Sequence, residues 1–207
     1  MLRVALTGGI ATGKSYVRAR VASRGVPTVD ADAVVHELLS AGTGATDEVV
    51  RRFGAAMRSG DGSVDRKALG ALIFEDASAR RDLESILHPR VYRRIQEWTS
   101  LQSRAGARWV LADIPLLFET GHEADFDRVI VAACAPEEQV RRVMQRDDSS
   151  EAAARARLAA QWPIARKVER ATDIVDTGGT FDDTDRQVDA ICGGLDESSR
   201  DPASEGR

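Results

Sequence analysis

Residues Gly8-Gly9-Ile10-Ala11-Thr12-Gly13-Lys14-Ser15 fit the pattern G-x-x-x-x-G-K-[ST] without a mismatch, and the apolar run Leu2-Arg3-Val4-Ala5-Leu6 stands just before them. The pattern demands a strand on one side and a helix on the other, so that the backbone curls around an anion at the helix's amino end. Glycine permits the curl, and the successive N–H groups of Gly9, Ile10, Ala11, Thr12, Gly13, Lys14, Ser15 and Tyr16 are expected to line it. Lys14 can then reach the outer phosphates of a nucleotide as a point charge. The Ser15 hydroxyl offers a hard oxygen to Mg²⁺. A helix is expected from about Gly13 to Ser23.

The rest of the chain supplies a matching frame. Val26 to Asp30, Trp109 to Ile114, Arg128 to Ala133 and Asp173 to Asp176 are further strand candidates. Helical patterns separate most of them; Val140, Val143 and Met144 recur at helical spacing after Pro136. Strands alternating with helices imply an α/β fold, a parallel sheet of five strands covered on both faces. The rhythm breaks between about residues 33 and 107, where Leu69, Leu72 and Ile73 share one helical face and Leu83, Ile86 and Leu87 another. Gly54 to Gly62 reads as a loop, and Pro89 is expected to begin a new helical segment or kink the one before it. A parallel crossover needs far fewer residues, so this helical insertion has length to spare for binding a ligand. The core is therefore assigned to 1–32 and 108–195, and Asp196 to Arg207, rich in serine and charge, to a disordered tail.

Composition narrows the partners. A net charge of −4 opposes broad electrostatic binding to nucleic acid, while leaving room for a local anion site. No apolar run reaches the ~18–20 residues of a membrane helix, and the start of the chain has no signal-peptide pattern. Cys134 and Cys192 form no CxxC pair, and His36, His88 and His122 have no metal-ligand spacing. A cytoplasmic protein is expected, with no nucleic-acid or membrane partner and a monomer as the default state.

Asp30-Ala31-Asp32 follows the second strand, at the sheet edge where open α/β folds bind ligands. A carboxylate there can orient an acceptor hydroxyl toward the γ-phosphoryl group, or either aspartate can simply cap a helix. Arg142 and Arg146 lie four apart, on one helix face, and the polar stretch Asp147 to Ser150 reads as a turn. Arginines on a mobile segment can close over phosphates, or they can form a solvated face paired with Glu137, Glu138 and Glu151.

Taken together, these motifs resemble the dephospho-CoA kinases. The resemblance rests on Leu6-Thr7-Gly8-Gly9-Ile10 leading into Gly13-Lys14-Ser15, on Asp30-Ala31-Asp32, and on Phe53-Gly54, Asp61-Gly62, Asp65-Arg66, Leu69, Phe74 and Leu83 through His88-Pro89. It extends to Asp113-Ile114-Pro115-Leu116-Leu117-Phe118-Glu119 and to Gln139, Arg142, Arg146-Asp147, Arg157, Gln161 and Lys167, so it spans about residues 2–193. It implies a P-loop three-layer sandwich with a helical substrate-binding insertion and a helical lid at about 147–166. It also implies transfer of the ATP γ-phosphate, with Mg²⁺, to the ribose 3′-hydroxyl of dephospho-CoA. By position, Asp32, Lys14 and Arg146 match the family's catalytic residues, and Arg142 its nucleotide side. Thr7, Asp32, His88, Pro89, Leu116 and Glu119 match the acceptor side. Three positions depart from the pattern: Tyr16 stands where threonine is common, Thr172 where aspartate is usual, and Thr177 where asparagine is usual. These leave the phosphate chemistry intact and bear on base selectivity.

Overall fold

In the computed structural model, which describes residues 1–199, the chain divides into two compact units. One comprises Met1–Val29 with the chain from Thr99 onward, the other Asp30–Trp98. The first strand, β1 (Leu2–Gly8), is followed by α1 (Lys14–Ser23) and the short β2 (Thr28–Asp30). The second unit holds α2 (Ala31–Leu38), α3 (Gly44–Phe53), α4 (Arg66–Glu75) and most of α5 (Ala77–Arg104). The chain then returns through β3 (Trp109–Asp113), β4 (Arg128–Ala133), α6 (Pro136–Asp147), α7 (Glu151–Ala159), α8 (Ile164–Val168), β5 (Asp173–Asp176) and α9 (Phe181–Ser198).

The five strands form one sheet in the order β2-β3-β1-β4-β5. β1 pairs in parallel with both β3 and β4, and β4 with β5. Consecutive residues are buried along β1 from Val4 to Gly8 and all along β3, so residues of both parities lie under cover and both sheet faces are packed. On one face Val4, Leu6, Leu111, Ile130 and Val175 pack with Val17 and Val21 of α1 and Val188, Cys192 and Leu195 of α9. A smaller cluster of Val140, Val143 and Ala154 joins α6 to α7, with Ile10 and Ala11 against it.

The helical unit has its own core. Leu39, Ala45, Val49, Val64, Leu69, Leu83, Ile86 and Leu87 are all buried there. Side-chain caps set its helix starts: Asp30 accepts from Asp32 N–H, Thr43 from Thr46 N–H, and Asp65 from the N–H groups of Lys67 and Ala68.

The structure departs from the sequence reading in several places; β3, for one, ends at Asp113 rather than Ile114. β2 begins at Thr28 rather than Val26. The loop at Gly54 to Gly62 contains a 3₁₀ turn, Ala55–Met57. Pro89 neither starts nor ends a helix but lies inside α5. A proline within a helix costs about 3 kcal/mol when nothing else supports it. Here the apolar face stays in phase on both sides of it, Leu83, Ile86 and Leu87 before and Val91, Tyr92 and Ile95 after, and packing holds the helix together. Arg90 adds a brace, donating to Ile86 O and pairing with Glu48 of α3. Finally, Asp196 to Ser198, expected in a tail, complete α9, where Leu195 is buried and Asp196 accepts from the Trp109 indole at 3.0 Å. Residues 200–207 of the expected tail lie outside the described residues.

Candidate active site

The phosphate-binding loop is built by close approach and by left-handed backbone. A Cβ on Gly8 would stand 2.6 Å from Ala132 O of β4 and 2.6 Å from Thr12 Oγ1, so no side chain fits there. Gly13, with φ of 76°, turns the chain into α1. Ala11 adopts φ of 57° despite carrying a Cβ, a local strain of roughly 1 kcal/mol. Gly13 supplies no side-chain cap, so the first-turn amides of α1 carry none, the arrangement an anion needs. The loop is held from outside. Gln139 Nε2 donates to Ile10 O at 2.9 Å, and Ile10 N–H donates to Gln161 Oε1 at 2.9 Å. Thr12 Oγ1 donates to Gly9 O, while Thr12 O accepts from Thr177 Oγ1 at 2.7 Å. With its N–H engaged by Gln161, Ile10 here supports the cradle from behind, in contrast to the expected phosphate contact.

Lys14 pairs with Asp113 at the end of β3, and Arg18 Nε stands 3.3 Å from the other oxygen of that carboxylate. Asp113 is 2% exposed, so two cations neutralise one buried anion directly beside the cradle. Ser15 is exposed at the start of α1. Tyr16 turns away from the loop toward α9: its hydroxyl donates to Asp185 at 3.0 Å and its ring lies 4.6 Å from that of Phe181. Loss of hydration and the Asp185 carboxylate together raise its pKa.

Beyond Asp113 the chain carries a second carboxylate. Glu119 Oε1 accepts from Lys167 Nζ at 2.8 Å and from Trp162 N–H at 3.0 Å, whereas its buried Oε2 has no hydrogen-bond partner among the described residues. Thr7 Oγ1 donates to Pro115 O at 3.1 Å, and Leu116 is exposed. Trp162 lies parallel to Phe118 and beneath the Arg166 guanidinium at 3.4 Å, which fixes the chain just before α8.

The two α6 arginines do different things. Arg142 donates to Thr177 O at 2.7 Å, reaches Ala11 O at 3.4 Å and pairs with Glu138, so it stands at the cradle. Glu138, bonded by both Arg141 and Arg142, is held down at about 2. Arg146 instead makes a two-pronged bond to Asp147, which Arg157 also engages. Arg146 is thus tied locally in this arrangement. Asp148, with φ of 46°, ends α6 before Ser150 caps α7.

The site residues expected from sequence therefore fall in both units. Thr7, the loop from Gly9 to Tyr16, Leu116, Glu119, Arg142 and Arg146 lie in the sheet unit; Asp32, His88 and Pro89 lie in the helical one. Asp32 sits exposed in the first turn of α2, its N–H on the Asp30 carboxylate at 2.9 Å, so Asp30 is the cap. Sequence reasoning did not single out Asp113 as the partner of Lys14. The available signal was an aspartate closing a wholly apolar strand.

A five-stranded parallel sheet carrying this cradle, with a lysine and a hydroxyl at the helix start, defines a P-loop nucleotide-binding protein, a class that includes small-molecule kinases. The chain matches a crystal structure of shikimate kinase from Acinetobacter baumannii in fold, at a TM-score of 0.50 and 17% identity, covering 96% of this chain and 94% of that one. The dephospho-CoA kinase family model matches residues 2–183, and the chain belongs to that family. It is 39% identical over 190 residues to the dephospho-CoA kinase of Geobacillus kaustophilus, covering 92% of this chain and 94% of the relative. To that of Anaeromyxobacter dehalogenans it is 46% identical over 176 residues, covering 85% and 83%. The crystal structure of dephospho-CoA kinase from Campylobacter jejuni aligns at a TM-score of 0.73 with 27% identity, covering 95% of this chain and 98% of that one.

Proposed function

We propose that this chain transfers the γ-phosphate of ATP to the ribose 3′-hydroxyl of dephospho-CoA, giving CoA and ADP, the last step of CoA synthesis. The observation that carries the reading is the uncapped, lysine-bearing cradle in a chain that matches the family over residues 2–183. The amides of Ala11, Gly13, Lys14 and Ser15 and the Lys14 ammonium hold the triphosphate; the N–H groups of Thr12 and Tyr16, expected there too, instead donate to Gly9 O and Gly13 O and brace the curl. Lys14 leaves Asp113 to do so, and Arg18 keeps that carboxylate paired. Arg142, spanning Ala11 O and Thr177 O, stands at the nucleotide's side of the cradle. Arg146 exchanges Asp147 for the transferring phosphoryl group when 147–166 closes as a lid, stabilising charge as it spreads over the equatorial oxygens.

Asp32 orients the acceptor hydroxyl for in-line attack and takes its proton late, as a loose transition state allows. His88, Pro89, Thr7, Leu116 and Glu119 serve the acceptor side. The donor set fits Mg²⁺: the exposed Ser15 hydroxyl, and the Asp113 carboxylate once Lys14 has left it, are hard oxygens of the kind the ion takes. Bound there, the ion would offset negative charge on the β- and γ-phosphates.

Acceptor competition tests the reading. With ATP and Mg²⁺, dephospho-CoA should be consumed in preference to AMP, CMP and nucleosides. Preference for a nucleoside monophosphate would instead make the chain a nucleotide kinase built on the same frame.

A further inference from the structure

Lys167 is the bulkiest side chain among the described residues that are less than 2% exposed. Its ammonium has three protons and finds three acceptors: Gly8 O at 3.1 Å, Pro115 O at 3.1 Å and Glu119 Oε1 at 2.8 Å. These acceptors belong to the first glycine of the cradle, to the turn after β3, and to the carboxylate that also receives Trp162 N–H. A buried charge of this kind is a poor way to gain stability, since apolar packing in its place is commonly as good or better. What the ammonium supplies is a fixed register. Pro115 O also accepts from Thr7 Oγ1, so the end of β1 and Lys167 of α8 share one acceptor at the exit of β3.

We propose that Lys167 is a positioning residue for phosphoryl transfer: it staples the start of the phosphate cradle to the 113–119 turn and to the base of the lid. The segment from 113 to 119 carries a carboxylate at each end, and each binds one lysine. Lys14 leaves its carboxylate for the phosphates, whereas Lys167 has no ligand-facing exposure and stays. Burial, together with the nearby positive charge of Lys14, lowers the Lys167 pKa, and Glu119 opposes the change.

The proposal rests on the phosphotransfer reading above. The test compares wild type with Lys167→Met, with Glu119→Gln and with the double variant Lys167→Met/Glu119→Gln, in which no buried charge is left unpaired; the Lys167 effect in the double variant is read against Glu119→Gln alone. Each is assayed for kcat and KM with ATP and dephospho-CoA, for ATP binding by calorimetry, and for melting by circular dichroism. A misplacement near 1 Å costs about 100-fold in rate, so a folded variant lacking Lys167 should lose roughly that much kcat while its ATP dissociation constant changes less than about fivefold. A folded variant lacking Lys167 with kcat within about threefold of wild type would overturn the proposal. So would a loss residing wholly in ATP affinity. Failure of both variants lacking Lys167 to fold would make the staple a stability element and defeat the proposal too. Absence of wild-type turnover would defeat the phosphotransfer reading itself, whereas wild-type turnover with normal variants would defeat the staple alone.

Discussion

Asp113→Asn separates the two tasks assigned to that carboxylate. Asp113 is 2% exposed and faces Lys14 and Arg18, whose side chains are 15% and 31% exposed. Removing one partner of a fully buried pair costs about 3–5 kcal/mol; both cations here retain some water, so about 2 kcal/mol is expected. For a chain of this size that lowers the melting temperature by roughly 4–8 °C. ATP binding without metal should move the opposite way. In wild type Lys14 must break a charge-assisted bond before it reaches a phosphate, and such a bond is worth about 1.5–3 kcal/mol. Freed from it, Lys14 should bind metal-free ATP on the order of tenfold more tightly. Turnover with Mg²⁺ should fall, because a carboxylate oxygen beside the ion is lost. Thermal melts by circular dichroism and calorimetry in EDTA measure both effects. An unchanged melting temperature, or metal-free ATP binding weakened rather than tightened, would refute the pairing as the governing interaction.

Further outcomes are expected elsewhere in the molecule. Asp32→Asn should abolish most turnover while ATP binding, read by calorimetry, stays within about threefold of wild type; near-normal turnover would remove Asp32 from the chemistry. Glu138 is held at about 2 against an ordinary 4.5, so the folded state binds fewer protons than the unfolded state between those values and stability rises with pH across that window. Acid melts should therefore show wild type losing its advantage over Glu138→Gln as pH falls from 4.5 to about 2, and parallel curves would speak against the Arg141–Glu138–Arg142 bonds. Burial raises the Cys134 thiol pKa and pushes that of Cys192 up to about 11. Both should resist an aromatic disulfide reagent in the native protein and react on denaturation; rapid native labelling of either would contradict its burial.

Much of the frame was readable because it depends on local pattern. β4 and β5 lie on the short runs that mark them in the sequence, and the strand–loop–helix around Gly8 to Ser15 follows from its residue spacing. The capping choice between Asp30 and Asp32 could not be made from spacing, because both lie within reach of a helix start; the Asp32 N–H bond to Asp30 decides it. Pro89 misled because a local rule was outweighed by apolar residues in phase on either side. The supports of the cradle were hidden for a different reason. Lys14 finds Asp113 across 99 residues, Ile10 finds Gln161 across 151, and Lys167 finds Gly8 across 159. Contacts at such separations leave no periodicity. A lysine in a short polar segment looks like solvent-facing charge until the sheet places three acceptors around it.

Regiochemistry of the product tests the central claim most directly. After incubation with ATP, Mg²⁺ and dephospho-CoA, phosphorus NMR of the purified product should show a new phosphomonoester on the ribose 3′-oxygen, with one ADP formed per product molecule. ADP released without a phosphorylated acceptor, or a phosphate carried on any other oxygen, would contradict the assigned reaction.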